Sequence, residues 1–78
     1  MKFKEGDKVR LDSIKKSHRT QTGPIGYYAE KDGLKEGQIY TVNCVGSNGL
    51  EDQQDEWIEL EETLFWYWHH VSGFSLVS

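Results

Sequence analysis

Lys15-Lys16-Ser17-His18-Arg19-Thr20-Gln21-Thr22-Gly23 is the densest run of polar functional groups in the chain. Its cationic side chains can neutralise phosphate, its hydroxyls and amides can fix an anion's orientation, and its glycine lets backbone amides approach. Lys15, Lys16, His18, Arg19 and Thr20 are therefore the candidate anion ligands. Tyr27 and Tyr28, a few residues on, are rings on which a planar group can stack. The Gly-x-x-x-x-Gly-Lys-Ser/Thr spacing of a nucleoside-triphosphate loop is absent.

The second concentration of chemistry is Phe65-Trp66-Tyr67-Trp68-His69-His70. If this is one short strand, its side chains alternate, with Trp66, Trp68 and His70 facing one way and Phe65, Tyr67 and His69 the other. A small domain has one interior. The set that misses it must be covered by a loop, a second subunit, a partner or a ligand, because contiguous apolar surface marks an interaction site. Trp66, Tyr67, Trp68, His69 and His70 are thus the candidate interface. At least one of Trp57, Trp66 and Trp68 is expected to be structural, but all three cannot easily share a core of this size with Phe65, Phe74, Tyr40 and Ile58. Exposed Trp and Tyr dominate binding hot spots and also stack bases in single-stranded nucleic-acid modules. Glu59, Glu61 and Glu62 would oppose a polyanion there.

Metal binding and catalysis find less support. His69 and His70 are adjacent on a presumed strand and point apart, and Cys44 stands alone, so no ligand set is suggested. A strand cysteine facing the core is a poor nucleophile, and the many carboxylates from Glu51 to Glu62 read as a solvated face. The expectation is a protein with no catalytic residues, no metal and no cofactor.

The elements that must carry these residues follow from pattern. Asp7–Ile14 alternates polar and apolar residues and reads as a first strand. Lys15–Gly37 is polar and glycine-punctuated, and reads as one long loop that Ile25, Tyr27, Tyr28 and Leu34 can pin to the body of the domain. Gln38–Val45 is rich in β-branched and aromatic residues and predicts a second strand. Asn48-Gly49 predicts a tight hairpin into a third strand near Glu56–Glu61, with Ile58 and Leu60 inward. A turn at Glu62-Thr63 leads to a fourth strand, Leu64–His69. Val71–Gly73 suits a single 3₁₀ turn before a last strand, Phe74–Val77. No helix-length amphipathic pattern is visible, so the expected fold is all-β, one five-stranded small barrel spanning residues 1–78.

The chain has 78 residues and a net charge of −4. A domain this small buries only about 60–65% of its unfolded surface, and its single cysteine cannot form an internal disulfide. Every Lys and Arg lies between Lys2 and Lys35, whereas Glu51–Glu62 carries seven acidic residues and no basic one. That acidic balance argues against duplex DNA as the main partner. Met1–Asp7 has no apolar run fit for a signal peptide, and no segment approaches the ~20 apolar residues of a membrane span. A soluble intracellular protein without a membrane partner is expected.

Phe3-x-x-Gly6-Asp7-x-Val9-Arg10, Gly33–Val42, Trp57-Ile58-Glu59-Leu60 and Gly73-Phe74-Ser75-Leu76-Val77 together resemble the Src-homology-3-like (KOW-like) small barrels of bacteriophages and prophages. The resemblance covers nearly the whole chain and rests on barrel-building motifs. It implies a viral accessory protein in the host cytoplasm that sequesters a host factor, either a small anionic, nucleotide-like ligand or a protein. The aromatic excess adds the expectation of a homo-oligomer. A small nucleic-acid-binding barrel and a peptide-recognising adaptor are the alternatives. The long Lys15–Asp32 insertion and the doubled Trp and His residues depart from the plain pattern.

Overall fold

Exposed and buried residues alternate along Lys8–Leu11, with Val9 and Leu11 inward, and this segment is the first strand, β1, of the computed structural model. The structure describes residues 3–19, 21–47 and 56–78. Four further strands follow: β2 at Ile39–Gly46, β3 at Trp57–Leu60, β4 at His69–His70 and β5 at Phe74–Leu76, the last preceded by a 3₁₀ turn at Val71–Gly73. All pairings are antiparallel and the order is β4-β3-β2-β1-β5. The fold is predominantly β, as expected. Among the described residues β4 and β5 are not paired, so the sheet is open where a closed barrel was expected. The Asn48-Gly49 hairpin lies outside the described residues.

The inward residues of β1 and β2, Val9, Leu11, Tyr40 and Val42, meet Ile58 and Leu60 of β3 and Phe74 of β5. Trp57 is fully buried as well, so the structural tryptophan is this one. A register shift between Val42 and Cys44 bends β2. Next to the bend the Thr41 N–H donates to the Glu62 carboxylate (2.8 Å) and the Thr41 carbonyl accepts from Glu61 N–H (2.9 Å). These bonds sew the turn after β3 onto β2.

The expected structureless loop after β1 is corrected by two short helices, α1 at Ile14–His18 and α2 at Tyr27–Lys31. Ser13 caps α1, its hydroxyl accepting from Lys16 N–H (3.2 Å). A second unpaired amide of that first turn, Ile14 N–H, donates to the Glu36 carboxylate (2.9 Å). Helix α2 ends at Asp32-Gly33, where Gly33 takes φ +77° and Leu34 N–H returns to the Ala29 carbonyl (2.8 Å). Neither helix is long and apolar enough to cross a membrane.

Helix α1 lies directly on the 3₁₀ turn. The Asp12 and Ser13 amides both donate to the Gly73 carbonyl (2.7 and 3.1 Å), and a methyl group on Gly73 would stand 2.6 Å from Ser17 N and 2.7 Å from Ser13 O. Those neighbours are backbone atoms that cannot step aside. Gly73→Ala should therefore lower stability by about 1–3 kcal/mol, the usual cost of overpacking, as read by thermal melting. A variant that melts with the parent would show that α1 can move freely off the turn.

Candidate functional site

A left-handed backbone at Trp66 (φ +61°) breaks the fourth strand expected over Leu64–His69. A bulky residue there departs from the extended pleat, and only His69–His70 pair as β4. Burial then changes in pairs instead of alternating. Phe65 and Trp66 are exposed, Tyr67 and Trp68 half-buried, and His69 and His70 buried.

The irregular segment is held by one side chain from the insertion. Asp32 is 1% exposed, and its carboxylate accepts from Phe65 N–H (2.8 Å) at Oδ1 and from Tyr67 N–H (3.0 Å) at Oδ2. His69 Nε2 stands 2.8 Å from Oδ2. An ionised carboxylate only accepts, so Nε2 carries the hydrogen in this contact. The clamp grips the backbone on both sides of Trp66 and leaves Leu64 70%, Phe65 60% and Trp66 49% exposed.

The tyrosines of the insertion complete an aromatic edge beside this tip. Tyr27 meets Tyr28 edge-on (5.2 Å between centroids), Tyr28 meets Tyr67 (5.0 Å), and Tyr67 lies 5.9 Å from Phe65. Lys31 Nζ sits 5.6 Å from the Tyr27 ring centre. Leu34 is buried in the core, so this residue pins the insertion, while Ile25 remains exposed. Tyr27 and Tyr28, the rings expected to stack on an anionic ligand, line this aromatic edge.

The remaining candidates separate. Lys15, Lys16 and Arg19 line one cleft with Ser13, Ile25 and Ser72. His18 is buried behind them, Nε2 2.8 Å from the Gln21 carbonyl and its ring stacked on Tyr28 (5.7 Å). Thr20 lies outside the described residues. Trp68 covers Gly46, its indole 3.1 Å from where a Cβ would stand, and its carbonyl accepts from the Gln21 side-chain amide (2.8 Å). His70 packs edge-on against Trp57 (4.8 Å), and its Nδ1 accepts from Ser72 N–H (3.1 Å). Reading the sequence missed Asp32, whose only local signal was an Asp-Gly pair that reads as a turn.

Among the described residues no group of three or more His, Cys, Asp and Glu side chains is placed to hold a metal ion. The Cys44 thiol donates to Glu59 (3.2 Å), and burial followed by that hydrogen bond pushes its pKa up to about 11. The thiolate is the reactive form. Compared with family models, curated proteins and solved structures, the chain matches none.

Two outcomes follow. Asp32→Asn puts an amide N–H₂ against a backbone N–H, leaving a buried donor unsatisfied, and should cost about 1–3 kcal/mol of stability. Amide exchange should quicken at Phe65 and Tyr67; unchanged melting and exchange would remove Asp32 from this role. For Cys44, alkylation at neutral pH should be slower than for a free peptide cysteine, and should rise as pH passes through about 11. The sign of the linkage is fixed by the raised value: the thiol's contribution to stability is complete below the ordinary 9.0 and is lost as pH climbs toward about 11. Alkylation at the peptide rate at neutral pH would contradict this.

Proposed function

We propose that this chain is a non-catalytic binding protein that docks a protein partner on the edge formed by Tyr27, Leu64, Phe65 and Trp66. The observation that carries this reading is the Asp32 clamp, which fixes the backbone on both sides of an exposed tryptophan. A tip already held in one arrangement loses little conformational freedom on docking, and exposed aromatic residues supply most hot-spot energy. Exposed Glu61 and Glu62 stand just before the tip in the chain, which disfavours stacking of a polyanion on the same rings.

The strand order, with a 3₁₀ turn before the last strand, supports the Src-homology-3-like reading in an open form. With that reading comes the role of a viral accessory protein in the host cytoplasm that sequesters a host factor. Self-association through the same edge is a second reading, favoured by the exposure of Leu64 and Phe65 in the isolated chain.

Immobilised protein incubated with host extract should retain a stoichiometric protein partner. Phe65→Ala with Trp66→Ala should weaken that complex at least about tenfold while melting stays unchanged. Equal retention by the double variant would remove the edge from the binding surface. Sedimentation of the purified chain over micromolar concentrations decides the second reading: a dimer abolished by the same variant assigns the edge to a second copy, and a monomer throughout rejects self-association.

A further inference from the structure

We propose that the cleft between α1 and the Val71–Gly73 turn binds the phosphoryl group of a small phosphate ester. The cleft has a volume of about 390 Å³ and is walled by Ser13, Lys15, Lys16, Arg19, Ile25 and Ser72. That size falls in the range of small-molecule sites, about 300–1,000 Å³, and far exceeds what a bare phosphate would fill. None of these residues belongs to the aromatic edge, so this proposal and the docking reading stand or fall separately.

The charge of the cleft is one-sided. Lys15, Lys16 and Arg19 line it, and among the described residues no acidic one does. Asp12, just before the α1 cap, and Glu36, bonded to its first turn, both have hydrogen-bond partners of their own. Asp12 is bonded to the Ser75 hydroxyl and to Arg10 Nε (2.8 Å), and Glu36 accepts from Ile14 N–H. The Ser75 and Arg10 hydrogen bonds hold the Asp12 carboxyl below its usual range, with Lys16 the smallest contributor to that lowering. Among the described residues neither Lys15 nor Lys16 forms an ion pair. Their ammonium groups are thus available for charge-assisted hydrogen bonds to phosphate oxygens.

The neutral walls suit an ester better than a bare anion. Ser13 Oγ accepts from Lys16 N–H, and among the described residues its own proton has no acceptor, so it can donate to a phosphate oxygen. Ile25, 61% exposed, offers apolar surface to an organic body. The floor is rigid, because the Ser72 hydroxyl donates to the Lys16 carbonyl (3.1 Å) and α1 rests on Gly73. Arg19, at φ +46°, turns the chain out of α1 at the cleft wall.

The test uses the full chain with pyrophosphate, adenosine 5′-monophosphate and a single-stranded oligonucleotide as probes, followed by calorimetry and amide chemical shifts. Pyrophosphate and the monophosphate should bind, with the largest shifts at Ser13, Lys16, Arg19 and Ser72. Lys15→Ala with Lys16→Ala should weaken both at least about tenfold, while Lys15→Arg with Lys16→Arg should retain binding. The shift map needs no variant, so it decides the matter even if the alanine pair fails to fold. Absence of binding at millimolar probe, shifts centred away from the cleft, or binding of the oligonucleotide alone with steep salt dependence would each overturn the proposal.

Discussion

A single buried carboxylate holds the insertion after β1 against the segment around Trp66. Asp32 closes the insertion after β1, and its two oxygens collect the Phe65 and Tyr67 amides and the His69 ring. A carboxylate taken out of water is costly unless hydrogen bonds replace its hydration. Here three donors do so, and each comes from the segment that would otherwise leave its own amides without a strand partner. The compensation is mutual: the irregular backbone around Trp66 is tolerable because Asp32 is there, and Asp32 is tolerable because that backbone is irregular. This explains how three large apolar residues in succession stay exposed on a small domain, where collapse onto the core would be the default.

A second constraint acts through the absence of a side chain. Gly73 lets the backbone of α1 approach the 3₁₀ turn so closely that its carbonyl takes two amides from Asp12 and Ser13. The sheet is open between β4 and β5, and the turn that joins those two strands is where α1 is seated. The insertion therefore packs against the sheet at two anchors, Gly73 for α1 and Asp32 for the end of α2. Ala29 of α2, and Leu34 just after Asp32, enter the core.

What could be read in the sequence is what short-range patterns encode. Alternation located β1, the β-branched run located β2, and Ile58 and Leu60 were placed inward correctly, as was the single turn before β5. The insertion was illegible because its helices are five residues each, below the length at which a 3.6-residue period can be seen. Ser13 is a local cap, but the acid that completes the first turn of α1 is Glu36, distant in the chain, so no local capping box announces that helix. The Leu64–His69 segment reads as a strand because aromatic residues favour strands, and tertiary hydrogen bonds to Asp32 override that preference. Of the anion candidates, Lys15, Lys16 and Arg19 do converge on a cleft. His18 does not, because at that position in α1 its ring faces Tyr28 and the interior.

The basic cleft and the aromatic edge share one scaffold, since His18 of α1 stacks on Tyr28 of α2 and Tyr28 packs on Tyr67 beside the tip. Contact alone does not make two surfaces communicate. A ligand shifts an equilibrium only by binding two arrangements with different affinity, and coupling between sites requires an element that has two arrangements to choose from. Both anchors oppose a second arrangement. Asp32 would have to give up hydrogen bonds to three partners in a place water does not reach, and leaving the turn would cost the two amide bonds from Asp12 and Ser13 to the Gly73 carbonyl. With both ends of the insertion anchored in this way, the proposed occupants of the cleft and of the edge should add without altering one another's affinity, as on a rigid scaffold carrying two surfaces rather than in a switch.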